Sequence, residues 1–183
     1  VFIGPYEHHS NELPWRESLA EVVTIGEDAN GHVDLVQLEH ELERYEDRSM
    51  LIGSFSAASN VTGIITDTQA VSSLLHQYGA KAFWDFAAAA PYLPIHMGSP
   101  AEGDGYLDAI FVSPHKFIGG PGTPGLLVAR RDLFSNRVPT VPGGGTVAYV
   151  SAEHHEFLED IEHREEGGTP DILGSIRAGL VFQ

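Results

Sequence analysis

The chain has 183 residues, of which 42% are hydrophobic and 20% charged, an ordinary globular composition that suffices for one domain with a sizeable core. Its 10 basic and 26 acidic side chains give a formal net charge of −16, so the surface repels nucleic acid and anionic membranes. The absence of cysteine excludes disulfides, thiolate zinc sites and a thiol nucleophile within these residues. We therefore expect no nucleic-acid or membrane partner, and the lack of cysteine fits a reducing cytoplasm.

The predicted elements begin with a strand and a helix. Residues 21–25 form a short apolar run typical of a strand. The next segment starts at about Asp34. Its apolar residues recur at helical spacing, with charged residues on the other face, at Leu35, Leu38 and Leu42. This pattern predicts an amphipathic helix.

The same alternation continues in the middle of the chain. A second strand is predicted at residues 50–55 and a third at 80–86. Between them, Asp67 is suited to cap a helix that runs to Tyr78 and ends at Gly79.

The last predicted elements are two strands and a helix. The strands lie at residues 108–112 and 125–129, and the helix begins near Pro170 and Asp171 with the proline in its first turn. Strands that alternate with helices form a mostly parallel sheet with helices on both faces, so the predicted fold class is α/β. Ligands bind beyond the carboxyl ends of such strands, which is where the unusual polar residues of this sequence cluster.

Lys116 follows an apolar run directly and precedes a glycine-rich loop. A lysine at a strand end, removed from bulk water and close to other cations, loses proton affinity and becomes an amine nucleophile. Such an amine can form a Schiff base with an aldehyde cofactor. The same spacing also fits a solvated loop lysine.

Two other segments carry groups that suit a ring-shaped cofactor. Asp85 ends an aromatic run, where a carboxylate is costly unless it is paired. Its partner could be a pyridinium nitrogen, or Asp85 could serve as a turn or helix-capping residue. One histidine of the pair His8 and His9 could lie flat on the ring, and a polar loop is the alternative.

Asn60 and Thr169 are weaker candidates. Asn60 could donate to a phenolic oxygen of a cofactor, and formally it also begins a glycosylation sequon. Thr169 lies at a predicted helix start, where backbone N–H groups attract phosphate, and a simple N-cap is the alternative.

These segments, in order, resemble the class V aminotransferase family, in particular its cysteine-desulfurase-like branch. The resemblance covers nearly the whole chain. The segments that carry it are the Glu-His-His-x-Asn-x-x-Pro-Trp run at 7–15, Ser-Asn-Val-Thr-Gly at 59–63, Asp85, Ser-x-His-Lys at 113–116 with the glycines after it, Gly-Gly-Gly-Thr at 143–146 and Gly-Thr-Pro at 168–170.

The resemblance implies a fold-type I pyridoxal-phosphate (PLP) enzyme that acts on an amino acid, as a homodimer in the cytoplasm. By this resemblance Lys116 is catalytic, holding the cofactor as a Schiff base and shuttling the proton at the substrate α-carbon, and His8 stacks on the ring. The other implied cofactor contacts are Asp85 with the pyridinium nitrogen, Asn60 with the ring oxygen side, Ser113 and His115 with the phosphate, and Thr169 with the phosphate region of the other subunit.

The sequence departs from the family's pattern at Ala88, where the family often has a glutamine that bonds the ring hydroxyl. By the same resemblance, residues 1–183 are part of a large domain like that of aspartate aminotransferase, truncated at both ends. The family's first phosphate-binding loop would precede Val1, and its small C-terminal domain would follow Gln183. We therefore expect these 183 residues alone to bind PLP weakly and to be inactive.

Two other functions remain open. A scaffold or binding domain can use the same fold without chemistry. A metal-dependent hydrolase could draw ligands from a set of histidines and one aspartate, but no His-x-His or His-x-x-x-His spacing is present, so no metal site is predicted. The set consists of His8, His9, His115, His154, His155 and Asp85.

Overall fold

The computed structural model describes residues 1–183 and contains a six-stranded sheet of order β2-β1-β3-β4-β5-β6. All neighbouring strands are parallel except β5 and β6, which are antiparallel. The strands are β1 (Phe2–Ile3), β2 (Val23–Thr24), β3 (Ile52–Ser56), β4 (Lys81–Asp85), β5 (Ala109–Val112) and β6 (Leu126–Ala129). A separate antiparallel pair consists of β7 (Val147–Val150) and β8 (His155–Phe157). The predicted α/β class with a mostly parallel sheet is confirmed.

Five α-helices accompany the strands, and two of them begin at the predicted caps. Asp34 accepts hydrogen bonds from two amides at the start of α2, and Asp67 accepts one at the start of α3. The cap of α5 is Asp171, and Pro170 precedes it, so the prediction of a proline in the first helical turn is wrong. The helices are α1 (His9–Arg16), α2 (Leu35–Arg44), α3 (Thr68–Gln77), α4 (Ile161–Glu165) and α5 (Ile172–Val181).

Helices cover both faces of the sheet. Side chains alternate along a strand, so Gly53 and Ser54 face opposite sides. A Cβ on Gly53 would come within 2.5 Å of Leu75 in α3, whereas the Ser54 hydroxyl donates to the Asn11 side chain of α1 at 2.6 Å. Because α1 and α3 lie on opposite faces, the predicted layering is confirmed.

The face under α2 and α3 holds the hydrophobic core. Leu38, Leu42, Leu75 and Trp84 are fully buried there. The indole N–H of Trp84 donates to the Ser72 hydroxyl at 2.9 Å, so its one polar atom is satisfied. None of the helices combines the length and the apolar character needed to traverse a bilayer.

Candidate active site

A cleft of about 760 Å³ opens at the carboxyl ends of β4 and β5, on the face of the sheet that carries α1. Asp85 is the last residue of β4 and pairs in register with Phe111, so the segment that follows β5 emerges beside it. The parallel strands therefore bring a carboxylate and an amine to one edge, as the general rule for such sheets requires. Five of the predicted site residues line this cleft: His8, Asp85, Ser113, His115 and Lys116.

Lys116 reaches the cleft from a short 3-10 turn, Pro114–Lys116, that directly follows β5. Its side chain is exposed. The chain contains one other lysine, Lys81, which starts β4 and forms an ion pair with Asp108 at 3.5 Å. The two lysines thus lie near opposite ends of the strands, and only Lys116 faces the cleft.

Asp85 is partly buried, and its two carboxylate oxygens differ in their hydrogen bonding. Oδ1 accepts a hydrogen bond from the Ala87 amide at 2.7 Å. Asp85 therefore also acts as a turn residue, which was the alternative that the sequence allowed. Oδ2 has no hydrogen-bond partner within the chain, which leaves it available to a ligand in the cleft.

His8 is held at the start of α1, although the sequence allowed a polar loop here. Its Nδ1 accepts a hydrogen bond from the Ser10 amide at 3.1 Å, which makes His8 the N-cap of the helix. Because an acceptor nitrogen carries no proton, the neutral ring has its hydrogen on Nε2. The exposed ring lines the cleft beside Trp15, which in turn packs near Phe83 with ring centroids 6.3 Å apart.

Two predicted residues do not line the cleft. Asn60 is exposed at the tip of a turn in which the Ser59 hydroxyl accepts from the Val61 and Thr62 amides. Thr169 is exposed in the loop that precedes α5. Their cofactor contacts therefore stay predictions.

Glu7 is a further residue of this region that the sequence analysis did not single out. Its Oε1 accepts from the Gly4 and Ser56 amides at 3.2 and 2.9 Å, and its Oε2 accepts from the Ser56 hydroxyl and the Asn11 side chain, both at 2.7 Å. Burial raises the pKa of Glu7, and the hydrogen bonds from Ser56 and Asn11 offset this only in part. The i, i+4 spacing of Glu7 and Asn11 was the available signal, but their partners on β3 are visible only in the folded chain.

The candidate metal ligands do not converge. The structure contains no group of three or more His, Asp or Glu side chains placed to hold a metal ion.

Comparison with known proteins gives a consistent relationship. The family model of Aminotransferase class-V matches residues 1–183. A cysteine desulfurase from Klebsiella pneumoniae is 29% identical over 100% of this chain and 43% of its own length. A probable cysteine desulfurase from Methanothermobacter thermautotrophicus is 31% identical over 98% of this chain and 43% of its own length.

Solved structures agree with this relationship. The cysteine desulfurase CsdA from Escherichia coli has a TM-score of 0.79 at 26% identity, covering 98% of this chain and 43% of that one. The apo cysteine desulfurase from Thermococcus onnurineus NA1 has a TM-score of 0.80 at 26% identity, covering 98% of this chain and 44% of that one. The chain thus spans less than half the length of the relatives it matches. On the match of its whole length, the chain belongs to the class V aminotransferase family.

Proposed function

We propose that this chain is the cofactor-binding part of a PLP-dependent enzyme that acts on an amino acid, as a cysteine desulfurase or as a class V aminotransferase. The observation that carries the proposal is that Lys116 and Asp85 line one cleft at the ends of neighbouring parallel strands. The relatives named above are cysteine desulfurases, which supports an amino acid as the substrate.

The donor set of the cleft fits PLP. The cofactor has an aldehyde, a ring nitrogen, an aromatic face and a phosphate, and each has a counterpart of suitable chemistry. Lys116 offers an exposed amine, and Asp85 an oxygen without a partner. His8 offers an exposed imidazole, and the Ser113 hydroxyl makes no capping hydrogen bond that would compete with a phosphate.

When bound, PLP supplies an aldehyde for an amine and a ring that withdraws electrons from the substrate α-carbon. Lys116 would hold the cofactor through Nζ and, once the substrate amine has displaced it, the freed Nζ would move the proton at the α-carbon. Asp85 keeps a proton on the ring nitrogen, because an anion beside a base favours its charged form. His8 covers the ring face and has Nε2–H free to donate, since Nδ1 is engaged by the Ser10 amide. Ser113 and His115 bind the phosphate, which the charge of −16 would otherwise repel.

The two lysines within residues 1–183 provide a test residue and a matched control. The full-length natural protein is loaded with PLP, reduced with borohydride, digested and mapped by mass spectrometry. We expect the cofactor on Lys116, and we expect Lys116→Ala to lose both the adduct and the visible absorbance while its far-UV circular dichroism is retained. Lys81→Gln is the matched control and keeps both. An unchanged spectrum in folded Lys116→Ala refutes the proposal and favours the scaffold alternative.

The reaction type is decided by product analysis of the loaded protein. Sulfide and alanine formed from cysteine identify a desulfurase, whereas a 2-oxo acid formed from an amino acid in the presence of an acceptor identifies an aminotransferase. If protein that carries the Lys116 adduct forms neither product with any amino acid, both assignments are contradicted.

We also propose that residues 1–183 belong to the large domain of a cytoplasmic homodimer, in which Thr169 reaches the phosphate region of the partner and Asn60 the ring oxygen side. The length of the relatives supports a larger whole. Sedimentation of the full-length protein at micromolar concentration tests the dimer, and a monomeric mass in the PLP-loaded state contradicts it.

A further inference from the structure

The Glu7 carboxylate joins three separate parts of the chain. It accepts from the Gly4 amide just after β1, from Ser56 at the end of β3, and from Asn11 in α1. Asn11 continues the connection, since its Oδ1 accepts from the Ser54 hydroxyl at 2.6 Å. We call these five residues the Glu7 network. The segment that carries His8 is therefore fixed to the sheet by polar contacts made with the residue immediately before it.

The hydrogen bonds of Glu7 fit the ionised carboxylate. A carboxylate accepts about four hydrogen bonds, two for each oxygen, and Glu7 has two donors on each. Two of these donors are backbone N–H groups, which cannot accept a proton in return. The network thus favours a negative charge in a partly buried place, against the burial that raises the pKa of Glu7.

This charge lies beside Asp85. Ser56, whose amide and hydroxyl both donate to Glu7, pairs in register with Asp85 on the neighbouring strand. Paired residues of parallel strands project on the same face, so the two carboxylates share that face of the sheet. Their proximity also shows in the repulsion from Asp85, which contributes to raising the pKa of Glu7.

The cleft otherwise contains groups that oppose a cationic ring nitrogen. His115 and Lys116 line it, and each is a base that can carry a positive charge. Asp85 is the one carboxylate among the lining residues, so it alone would have to hold a proton at the ring nitrogen against these groups. A second negative charge close to Asp85 shifts the protonation equilibrium of the ring nitrogen toward the protonated form.

Resting on the proposed function, we propose that Glu7 is a positioning residue that anchors the His8 segment and holds a second negative charge behind Asp85, so favouring the protonated form of a ring nitrogen bound at Asp85.

Glu7→Gln isolates the charge from the anchoring. The oxygen of the substituted side chain retains the Gly4 and Ser56 amides, and its new NH₂ group donates to the Ser56 hydroxyl. If the Asn11 side chain turns over, its oxygen accepts the second N–H of that new group and its own NH₂ donates to Ser54. Each contact of the Glu7 network is then remade without the charge, with the Ser54 and Ser56 hydroxyls now accepting where they donated before.

The matched control is Glu12→Gln on the same helix. Glu12 forms a pair with Arg16 and does not line the cleft, so its replacement removes one negative charge from α1 at a distance from Asp85.

The experiment uses the full-length protein loaded with PLP that carries ¹⁵N at the ring nitrogen, whose chemical shift reports protonation directly. The shift is followed against pH in the unmodified protein, Glu7→Gln and Glu12→Gln, with circular dichroism as the check on folding. We expect Glu7→Gln to move the ring-nitrogen titration to lower pH by about half a unit to one unit, as removal of one partly screened unit charge at close range does. Glu12→Gln should titrate like the unmodified protein.

The possible outcomes distinguish a failure of this inference from a failure of the proposed function. An unmoved titration in folded, loaded Glu7→Gln overturns the inference and leaves the proposed function intact. If Glu7→Gln does not fold, Glu7→Asp, which keeps the charge on a shorter side chain, is titrated in its place, and a ring-nitrogen titration at lower pH than in the unmodified protein overturns the inference. Failure of the unmodified protein to bind PLP refutes the proposed function, and the inference that rests on it falls as well.

Discussion

Asp108→Asn tests the charged cluster at the end of the sheet opposite the cleft. Asp108 is fully buried just before β5. Its Oδ2 accepts from the Ala82 amide at 2.9 Å and contacts His76 Nε2 at 2.8 Å, while Oδ1 lies 3.5 Å from both Lys81 and Arg130. Asparagine keeps the shape and one acceptor, so the substitution removes the charge and leaves an NH₂ group facing the two cations.

The expected cost in the free energy of unfolding is about 1.5–5 kcal/mol. Loss of the charge-assisted bond to His76 accounts for about 1.5–3 kcal/mol. Lys81 and Arg130 are 37% and 31% exposed, so each of their pairs with Asp108 adds only about 0–1 kcal/mol. The lower end of this range lies below the roughly 3–5 kcal/mol typical of removing one partner from a fully buried pair, because water screens the two outer cations.

The loss depends on pH because both members of the central pair titrate. Burial raises the pKa of Asp108, but the hydrogen bonds from His76 and Ala82 outweigh it, so the pKa lies below 3.8. Burial lowers the pKa of His76, but the hydrogen bonds with Asp108 and with the Asp104 carbonyl, together with the negative charge of Asp108, outweigh it, so the pKa lies above 6.5. The carboxylate stabilises the fold above pH 3.8 and this is lost as the pH falls through its folded pKa. The imidazolium stabilises the fold below pH 6.5 and this is lost as the pH rises through its folded pKa.

Urea unfolding followed by fluorescence of the buried Trp84, at several pH values, measures the effect. The difference between the unmodified protein and Asp108→Asn should be largest between pH 3.8 and 6.5 and should shrink on both sides. Asp132→Asn is the control, since Asp132 also pairs with Arg130 but is 55% exposed. If Asp108→Asn costs no more than Asp132→Asn, or if its cost is the same at every pH, the reasoning is wrong.

Three further substitutions probe packing and capping, each by the same unfolding measurement. Gly53→Ala places a Cβ 2.5 Å from Leu75 and should cost about 1–3 kcal/mol through overpacking, so an unchanged midpoint would contradict the packing of α3 on β3. Ser72→Ala leaves the buried Trp84 indole N–H without its acceptor and should cost about 1–3 kcal/mol, whereas a neutral result would mean that another group accepts this bond. Asp34→Ala removes two hydrogen bonds at the start of α2 and should cost about 1 kcal/mol, with Asp34→Asn as the variant expected to retain most of the stability.

Local signals in the sequence predicted the elements whose causes lie within a few residues. The caps at Asp34 and Asp67 and the helical spacing of Leu38 and Leu42 gave α2 and α3, because a side chain and the amides it caps are two or three positions apart. The apolar runs gave β3, β4, β5 and β6 within two residues of their observed limits.

Elements held by distant partners were not predicted. Helix α1 contains Pro14 and few apolar residues, and its contacts with the sheet come from distant positions, such as the bond from Ser54, 43 positions away, and the packing of Trp15 near Phe83. Strand β1 has two residues and exists through its pairing with β2 and β3 on either side. The antiparallel direction of β6 is likewise a matter of pairing, since an apolar run has no direction of its own.

The sequence by itself determined the order of chemical groups along the chain: an imidazole at His8, then a carboxylate at Asp85 and an amine at Lys116, the last two each after an apolar run. Only the tertiary structure decided which of them meet, because strands β4 and β5 must lie parallel and in register before Asp85 and Lys116 line one cleft. The same holds for Glu7, whose carboxylate acquires its donors from Ser56, 49 positions away. Helix caps and hydrophobic periodicity depend on residues that are close in the sequence. The contacts of a site join residues that are far apart in the sequence and form only when the sheet brings them together.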